Sequence, residues 1–206
     1  DLLKGKFTFR TTNPNRRMIF MMIVALAPLL VFFFLRDWYT SLSADNDIIV
    51  EGLCFLATAG LLYMADHLVP GKKTASNMRV RDALLVGTMQ GIAPLPGLSR
   101  SGTTICTGLF RGFSREFAVR FAFIMSLPVV LGANILELVD VIQDPSLMGD
   151  ASIACYIVGI VVSMISGLAA IRLVKFITNR GNFRPFVVYC ALVGTIAVVA
   201  SLIAMV

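Results

Sequence analysis

Charge is scarce in this chain: charged residues are 15% of its 206 residues against 57% hydrophobic, and the mean hydropathy is +0.84. Soluble domains average roughly 45 to 50% apolar residues, so an ordinary water-soluble fold is excluded and an integral membrane protein is indicated. Histidine is nearly missing, with His67 the only one. The four cysteines, Cys54, Cys106, Cys155 and Cys190, show no CxxC spacing and have no neighbouring histidine. Neither a zinc site nor a disulfide framework follows, and they read as small core residues. A Walker loop, an HExxH pair and a GxSxG elbow are all absent, which removes the motifs that would compete with the reading below. The net charge of +6 comes from basic residues spread over short loops rather than along one stripe, so no nucleic-acid partner is expected. The chain opens on Asp1 rather than methionine, with no cleavable signal sequence, and reads as a sequence from which something in front has been removed.

What is abundant is long apolar sequence. A membrane-crossing helix needs about 20 mostly apolar residues, and five stretches qualify: Met18 to Leu35, Ile48 to Ala65, Phe117 to Leu138, Ile153 to Ile171 and Phe186 to Val206. Two shorter runs, Ala83 to Leu95 and Thr103 to Phe110, flank a polar segment, and apolar pieces this short read as arms of a re-entrant hairpin at about 83–113. Loop charges agree. Lys4, Lys6, Arg10, Arg16 and Arg17 precede the first span, and Arg36, Asp37, Asp45 and Asp47 follow it. Lys72, Lys73, Arg79 and Arg81 follow the second. If the hairpin returns to its own side, Arg111, Arg115 and Arg120 join that basic face, Asp140, Asp144 and Asp150 fall outside, and Arg172, Lys175, Arg180 and Arg184 fall inside. This is the positive-inside pattern, with the hairpin entering from the cytoplasm. Pro28 and Pro128 lie within spans and are expected to kink them. Trp38 and Tyr39 sit where an interfacial aromatic belt belongs.

The segment Pro96-Gly97-Leu98-Ser99-Arg100-Ser101-Gly102-Thr103-Thr104 sets an arginine and four hydroxyls among apolar sequence. A translocon scale charges roughly 2.5 to 3.5 kcal/mol for arginine at a helix centre, so a compensating partner is expected. The chemistry suits an anion, above all phosphate. Arg100 offers a planar fork of donors, Gly97 and Gly102 let backbone N–H groups turn inward, and a helix starting near Ser101 adds the positive end of its dipole. Arg100 and Thr104 share a helix face, with Thr103 and Thr107 beside it. The plainer account has Ser99 capping a helix and Arg100 snorkelling or pairing with an acid, but a cap requires neither the arginine nor the surrounding hydroxyls. Gln90 either reaches the same cavity or bonds a neighbouring helix. His67 reads as interfacial, Asp66 as a boundary residue, Glu51 and Glu137 as acids able to reach water near the outer span ends, and Glu116 as a local partner of Arg115 and Arg120.

At PGLSRSGTT the chain closely resembles the PGxSRSxxT signature of the undecaprenyl-diphosphatase family, the bacterial bacitracin-resistance proteins. Gln90-Gly91, Gly108, Ser114 and the Phe123 to Pro128 context are also similar, and the likeness runs from about Met18 to the C-terminus. The resemblance implies an all-α integral membrane protein of inverted repeats. Residues 1–206 then form a single membrane domain, with 18–66 holding two spans of a first repeat and 83–206 a second repeat. The family's first hairpin, EGxxEFLPVSSTGH, has no counterpart in these residues. By the same resemblance the chain removes phosphate from undecaprenyl diphosphate in a bacterial plasma membrane, at a site opening to the outer face, in recycling a cell-wall lipid carrier. Arg100, Ser99, Ser101 and Thr104 are the implied catalytic residues, and Gly97, Gly102, Thr103 and Gln90 the implied substrate contacts. Mg²⁺ or Ca²⁺ is the implied cofactor, with no metal ligand expected in this chain. The implied partners are the polyprenyl diphosphate, membrane lipids and a second copy in a homodimer. The alternative is a transporter or flippase for phosphorylated polyprenyl lipid. Lipid phosphatases of the acid-phosphatase type need a histidine a few residues after Ser-Arg, and none follows Ser99-Arg100.

Overall fold

The computed structural model describes residues 14–35, 38, 48–69, 71–144, 152–180 and 182–204. Lys4, Lys6, Arg10, Arg36, Asp37, Tyr39, Asp45, Asp47 and Asp150 lie outside the described residues. Lipid offers the backbone no partner but itself, and the apolar runs accordingly become helices. In chain order these are α1 Pro14–Phe33, α2 Ile49–Asp66, α3 Val80–Ile92, α4 Arg100–Phe110, α5 Arg115–Gln143, α6 Ile153–Arg180 and α7 Arg184–Ala204. Helices α1, α2, α5, α6 and α7 are long and apolar enough to cross a membrane. The chain is thus an all-α, multi-pass membrane protein. Helix ends differ most from expectation at α5 and α6, which extend to Gln143 and Arg180, because polar residues at a membrane surface continue a helix without burying their charge. Both Pro28 and Pro128 lie inside continuous helices.

The arms α3 and α4 have 13 and 11 residues, so at 1.5 Å per residue they reach about 20 and 17 Å, well short of a hydrocarbon core of about 30 Å. Their outer ends meet. Lys73 N–H donates to Gly112 O at 3.0 Å, and Ser114 N–H donates to Lys73 O at 2.9 Å, joining the loop before α3 to the turn after α4. Arg17 Nη2 donates to Met78 O at 2.9 Å, and Phe183 N–H donates to Asp66 Oδ1 at 3.1 Å. The start of α1, the end of α2, both ends of the hairpin and the α6–α7 turn therefore share one end of the molecule. That end collects the basic loops.

The core lies around the hairpin's base. Phe113, Phe117 and Phe121 pack ring against ring, with centroids 5.0 to 6.0 Å apart, beside buried Met78, Ala83, Val86, Cys106 and Met125. Helix α1 covers α3, and α2 packs most extensively on α7. The second contact depends on paired glycines: a Cβ on Gly194 would lie 2.8 Å from Gly52 O, and one on Gly52 would lie 3.0 Å from Gly194 O. Small residues let helices approach closely where no hydrophobic effect drives them together. By contrast α6 is exposed along nearly all its length, as an apolar helix in lipid can be. Cys106 and Cys190 are buried, but Cys155 on α6 is exposed, so it is not the core residue expected. Trp38 is 54% exposed, in keeping with an interfacial position. Glu116 stands exposed in the first turn of α5, where the helix dipole favours an acid.

Asp82, in the first turn of α3, ties the hairpin's base together. Its side chain is 0% exposed and accepts hydrogen bonds from Lys73 Nζ at 2.9 Å, Arg111 Nε at 2.8 Å and Arg79 N–H at 3.0 Å. Burial alone pushes its carboxyl up, but the Arg79 N–H and the two cations outweigh burial and hold it below the ordinary aspartate range. A depressed carboxylate contributes stability that is complete above its unfolded value and is lost as the pH falls through its folded one. Lys73 and Arg111 are 30% and 39% exposed, so solvent screens part of their share. Asp82→Asn is expected to destabilise the fold by about 1–3 kcal/mol. Melting curves in detergent should show the parent's advantage complete above about pH 5 and fading below about pH 4, where the variant changes less.

Candidate functional site

The hairpin turns through residues 93–99. Leu95 N–H donates to Ile92 O at 3.1 Å and Leu98 N–H to Leu95 O at 3.0 Å, so successive tight turns reverse the chain. Gly97 has φ +83°, the left-handed region that costs an L-residue roughly 1–2 kcal/mol. A Cβ there would also collide with the Glu51 backbone, which fixes the tip against the first turn of α2. Ser99 then caps α4: its Oγ accepts the Gly102 N–H at 3.2 Å, and its own N–H donates to Thr58 Oγ1 at 3.2 Å. Thr58 lies at the middle of α2. Helix α4 therefore begins halfway through the membrane thickness that α2 spans, with Arg100 its first residue.

Gln90, Arg100, Ser101, Thr104 and Ser126 line a cavity of about 290 Å³, with Ile105 and Phe123 among its apolar walls. This volume is close to the lower end of ligand pockets, about 300 Å³. Arg100 and Ser101 are exposed, so the polar groups stand at the mouth. Among the described residues no carboxylate pairs with Arg100, which leaves all its donors for a ligand. Gln90 is 2% exposed and its Nε2 has no hydrogen-bond partner. Of its two expected roles, the helix–helix bond from that amide is not made. An unmet buried amide costs about 1–3 kcal/mol, which an acceptor in the cavity would relieve. The amides of Arg100 and Ser101, in the first turn, have no intrahelical acceptor by geometry. Guanidinium, carboxamide, hydroxyl and open amides together form a site for an oxyanion.

The remaining expected residues lie elsewhere on the tip. Ser99 and Gly102 face a second, smaller hollow on the other side of α4's first turn, and Ser101 borders both. Thr103 is 0% exposed, and its Oγ1 has no partner. Gly97 shapes the turn. The Thr104 hydroxyl lines the cavity but donates its proton to backbone, with Arg100 O at 2.9 Å and Ser101 O at 3.2 Å. Thr107 does the same toward Thr103 O at 2.7 Å. One residue comes to the cavity that sequence reasoning did not single out. Ser126 enters from α5, and its one visible signal is a hydroxyl in an apolar span. Glu51 was expected to reach water; it is half-buried, its Oε2 is buried without a hydrogen-bond partner, and its backbone meets the tip at Gly97. No group of three or more His, Cys, Asp or Glu that fits a metal ion occurs among the described residues. The cavity's donors are cationic or neutral, and such a set does not hold Mg²⁺ or Ca²⁺, which take several oxygen ligands.

A multi-pass helical protein whose re-entrant hairpin starts a helix at mid-membrane defines the class. The family model described as Bacitracin resistance protein BacA matches residues 1–196. An undecaprenyl-diphosphatase of Alkaliphilus metalliredigens is 38% identical over 205 residues, covering 98% of this chain and 72% of that protein. One of Bacteroides fragilis is 33% identical over 200 residues, covering 97% and 74%. One of Methanosphaera stadtmanae is 31% identical over 207 residues, covering 98% and 72%. The chain belongs to the bacitracin resistance protein BacA family.

The tip geometry makes a direct demand on Gly97. Gly97→Ala is expected to cost about 1–2 kcal/mol from its dihedral alone, with more from the collision on Glu51. Thermal unfolding of the detergent-solubilised protein measures it, and an unchanged melting temperature would contradict the close approach.

Proposed function

We propose that this chain is an undecaprenyl-diphosphate phosphatase whose α3–α4 hairpin receives the diphosphate headgroup while the polyprenyl tail stays in lipid. The observation that carries the site assignment is Arg100, the first residue of a helix that starts at mid-membrane, lining a cavity with the buried, unpartnered amide of Gln90. In net terms the reaction adds water across the terminal phosphoanhydride. A water oxygen ends on the terminal phosphorus, the bond from that phosphorus to the bridging oxygen breaks, and undecaprenyl phosphate leaves with the bridging oxygen. Negative charge grows on the bridging and equatorial oxygens as the bond breaks, and preorganised donors in a low-dielectric site stabilise it without reorganising. Arg100 supplies the charge and a bidentate fork. Ser101, the first-turn amides and Gln90 Nε2 orient the phosphates, and Ile105, Ala122 and Phe123 give the cavity apolar walls beside the lipid tail.

Divalent cations supply charge neutralisation in phosphoryl transfer. On this reading, ligands for Mg²⁺ or Ca²⁺ belong to the family's first hairpin rather than to these residues. The product would return a wall-polymer carrier lipid to use in a bacterial plasma membrane. The basic end of the bundle supports a cytoplasmic position for the hairpin's base, which directs the tip toward the outer face.

Arg100→Ala in the full-length protein is expected to lower phosphate release from undecaprenyl diphosphate by about 100-fold or more. Arg100→Lys should fall between it and the parent, because a point charge replaces the fork. Near-parental release from Arg100→Ala would overturn the assignment, and lipid translocation without phosphate release would favour the transporter. Thr104→Ala is expected to cost less than about tenfold, since its hydroxyl proton is already donated to backbone carbonyls; steady-state kinetics on the same substrate checks this.

A further inference from the structure

The cavity at the hairpin tip is chemically one-sided. Among its described lining residues Arg100 alone is charged, and none is an acid. Thr104 and Ser126 spend their hydroxyl protons on backbone carbonyls, at 2.9 Å to Arg100 O and 2.7 Å to Phe123 O, so each has only lone pairs left to offer. Gln90 is neutral, with its Nε2 buried in the wall. The exposed groups able to donate are therefore Arg100 and Ser101, consecutive residues in the first turn of α4, whose amides also lack intrahelical acceptors.

Charge sets what such a turn can hold. Arg100 brings a full positive charge, and the start of α4 adds roughly half a charge more. A phosphate monoester carries about −1.5 to −2 at pH 7, so the turn nearly neutralises a single phosphate group by itself. A diphosphate carries more negative charge than that, and these residues leave the remainder unmet. The same donors do not suit a divalent cation, which takes several oxygen ligands and is repelled by a guanidinium at the mouth. Ile105, Phe123 and Val130 line the cavity as well, and apolar walls suit the phosphate joined to a lipid tail rather than the terminal one.

We infer that the tip of the α3–α4 hairpin is a subsite for one phosphate monoester, the lipid-linked phosphate, and that it binds this group without a divalent cation. The inference rests on the reading that Arg100 contacts the substrate headgroup, and it adds which phosphate is held and by what charge. The lipid-linked phosphate is the leaving group of the reaction, so Arg100 lies beside the bridging oxygen, where negative charge grows as the anhydride breaks. The same group is the lipid product. Lipid monophosphate therefore keeps its contacts with Arg100 and Ser101 after hydrolysis and competes with fresh substrate for them. The charge of the terminal phosphate is left to groups outside these residues.

Isothermal titration of the full-length protein in detergent tests this with farnesyl phosphate, a short-tailed monoester, in EDTA and then in Mg²⁺. Saturable binding is expected in EDTA, with a Kd that Mg²⁺ changes by less than about threefold. Arg100→Ala should weaken it by about tenfold or more. Arg100→Lys, which keeps a charge without the fork, should fall between, a graded series that loss of the fold would not give. Farnesyl diphosphate should gain about tenfold or more in affinity from Mg²⁺, and inorganic phosphate should bind about tenfold or more weakly than farnesyl phosphate, because it leaves the apolar walls uncovered. The inference is overturned if farnesyl phosphate binds only with Mg²⁺ or not at all, if Arg100→Ala binds it as the parent does, if inorganic phosphate binds equally well, or if the diphosphate binds equally with and without Mg²⁺. Phosphate release assayed alongside separates this inference from the reading beneath it. Binding that needs both Arg100 and Mg²⁺, with hydrolysis lost in Arg100→Ala, defeats the metal-free subsite alone, and hydrolysis kept in Arg100→Ala defeats the headgroup assignment.

Discussion

A helix that begins in the middle of a membrane has to satisfy its first amides without water, and the architecture of this protein follows from how that is done. Where a helix ends near the surface, solvent meets the orphan groups. At α4 the Ser99 side chain takes the Gly102 N–H and Thr58 Oγ1 takes the Ser99 N–H. The Arg100 and Ser101 amides have no intrahelical acceptor, and both residues line the cavity. A site that presents a guanidinium and open amides to a cavity is poor at rest and improved by an oxyanion, which is the condition under which binding energy does chemical work.

Holding such a tip in place requires firm anchors at both ends. Above, Gly97 presses against the Glu51 backbone and Ser99 bonds to Thr58. Below, Asp82 draws Lys73 and Arg111 together while the Lys73 backbone bridges the turn after α4. The aromatic stack of Phe113, Phe117 and Phe121 fills the space between the hairpin and α5. The buried core thus lies on the side that carries the hairpin, whereas most of α6 short of its last turns and the outer part of α5 are exposed and largely apolar. In water that surface would be a liability, but in lipid it costs little.

The two hollows on either side of α4's first turn give its residues unequal tasks. Arg100 and Thr104 look to one side and Ser99 and Gly102 to the other, with Ser101 between. The signature is therefore less a ring of equivalent ligands than a divider whose outer side holds the charge and whose inner side holds the cap. Of its two threonines, Thr104 is occupied with a backbone carbonyl and Thr103 is buried with its hydroxyl unpartnered.

Much of this was legible in the sequence. Apolar length alone predicts five crossings, and loop charge predicts that the short pieces return to one end, because both signals come from the cost of placing a residue in hydrocarbon, a property of that residue. Arg100 stood out for the same reason. What the sequence did not show were relations between distant residues. Asp82 is an ordinary first-turn acid until Lys73 and Arg111 reach it, and Ser126 is an unremarked hydroxyl until its helix sets it on the cavity beside Arg100. Composition and pattern thus determined that the chain lives in lipid, how often it crosses and which cation is out of place. Only tertiary packing decided which polar groups share a hollow, because a side chain's hydrogen-bond partner depends on where the neighbouring helices bring their own.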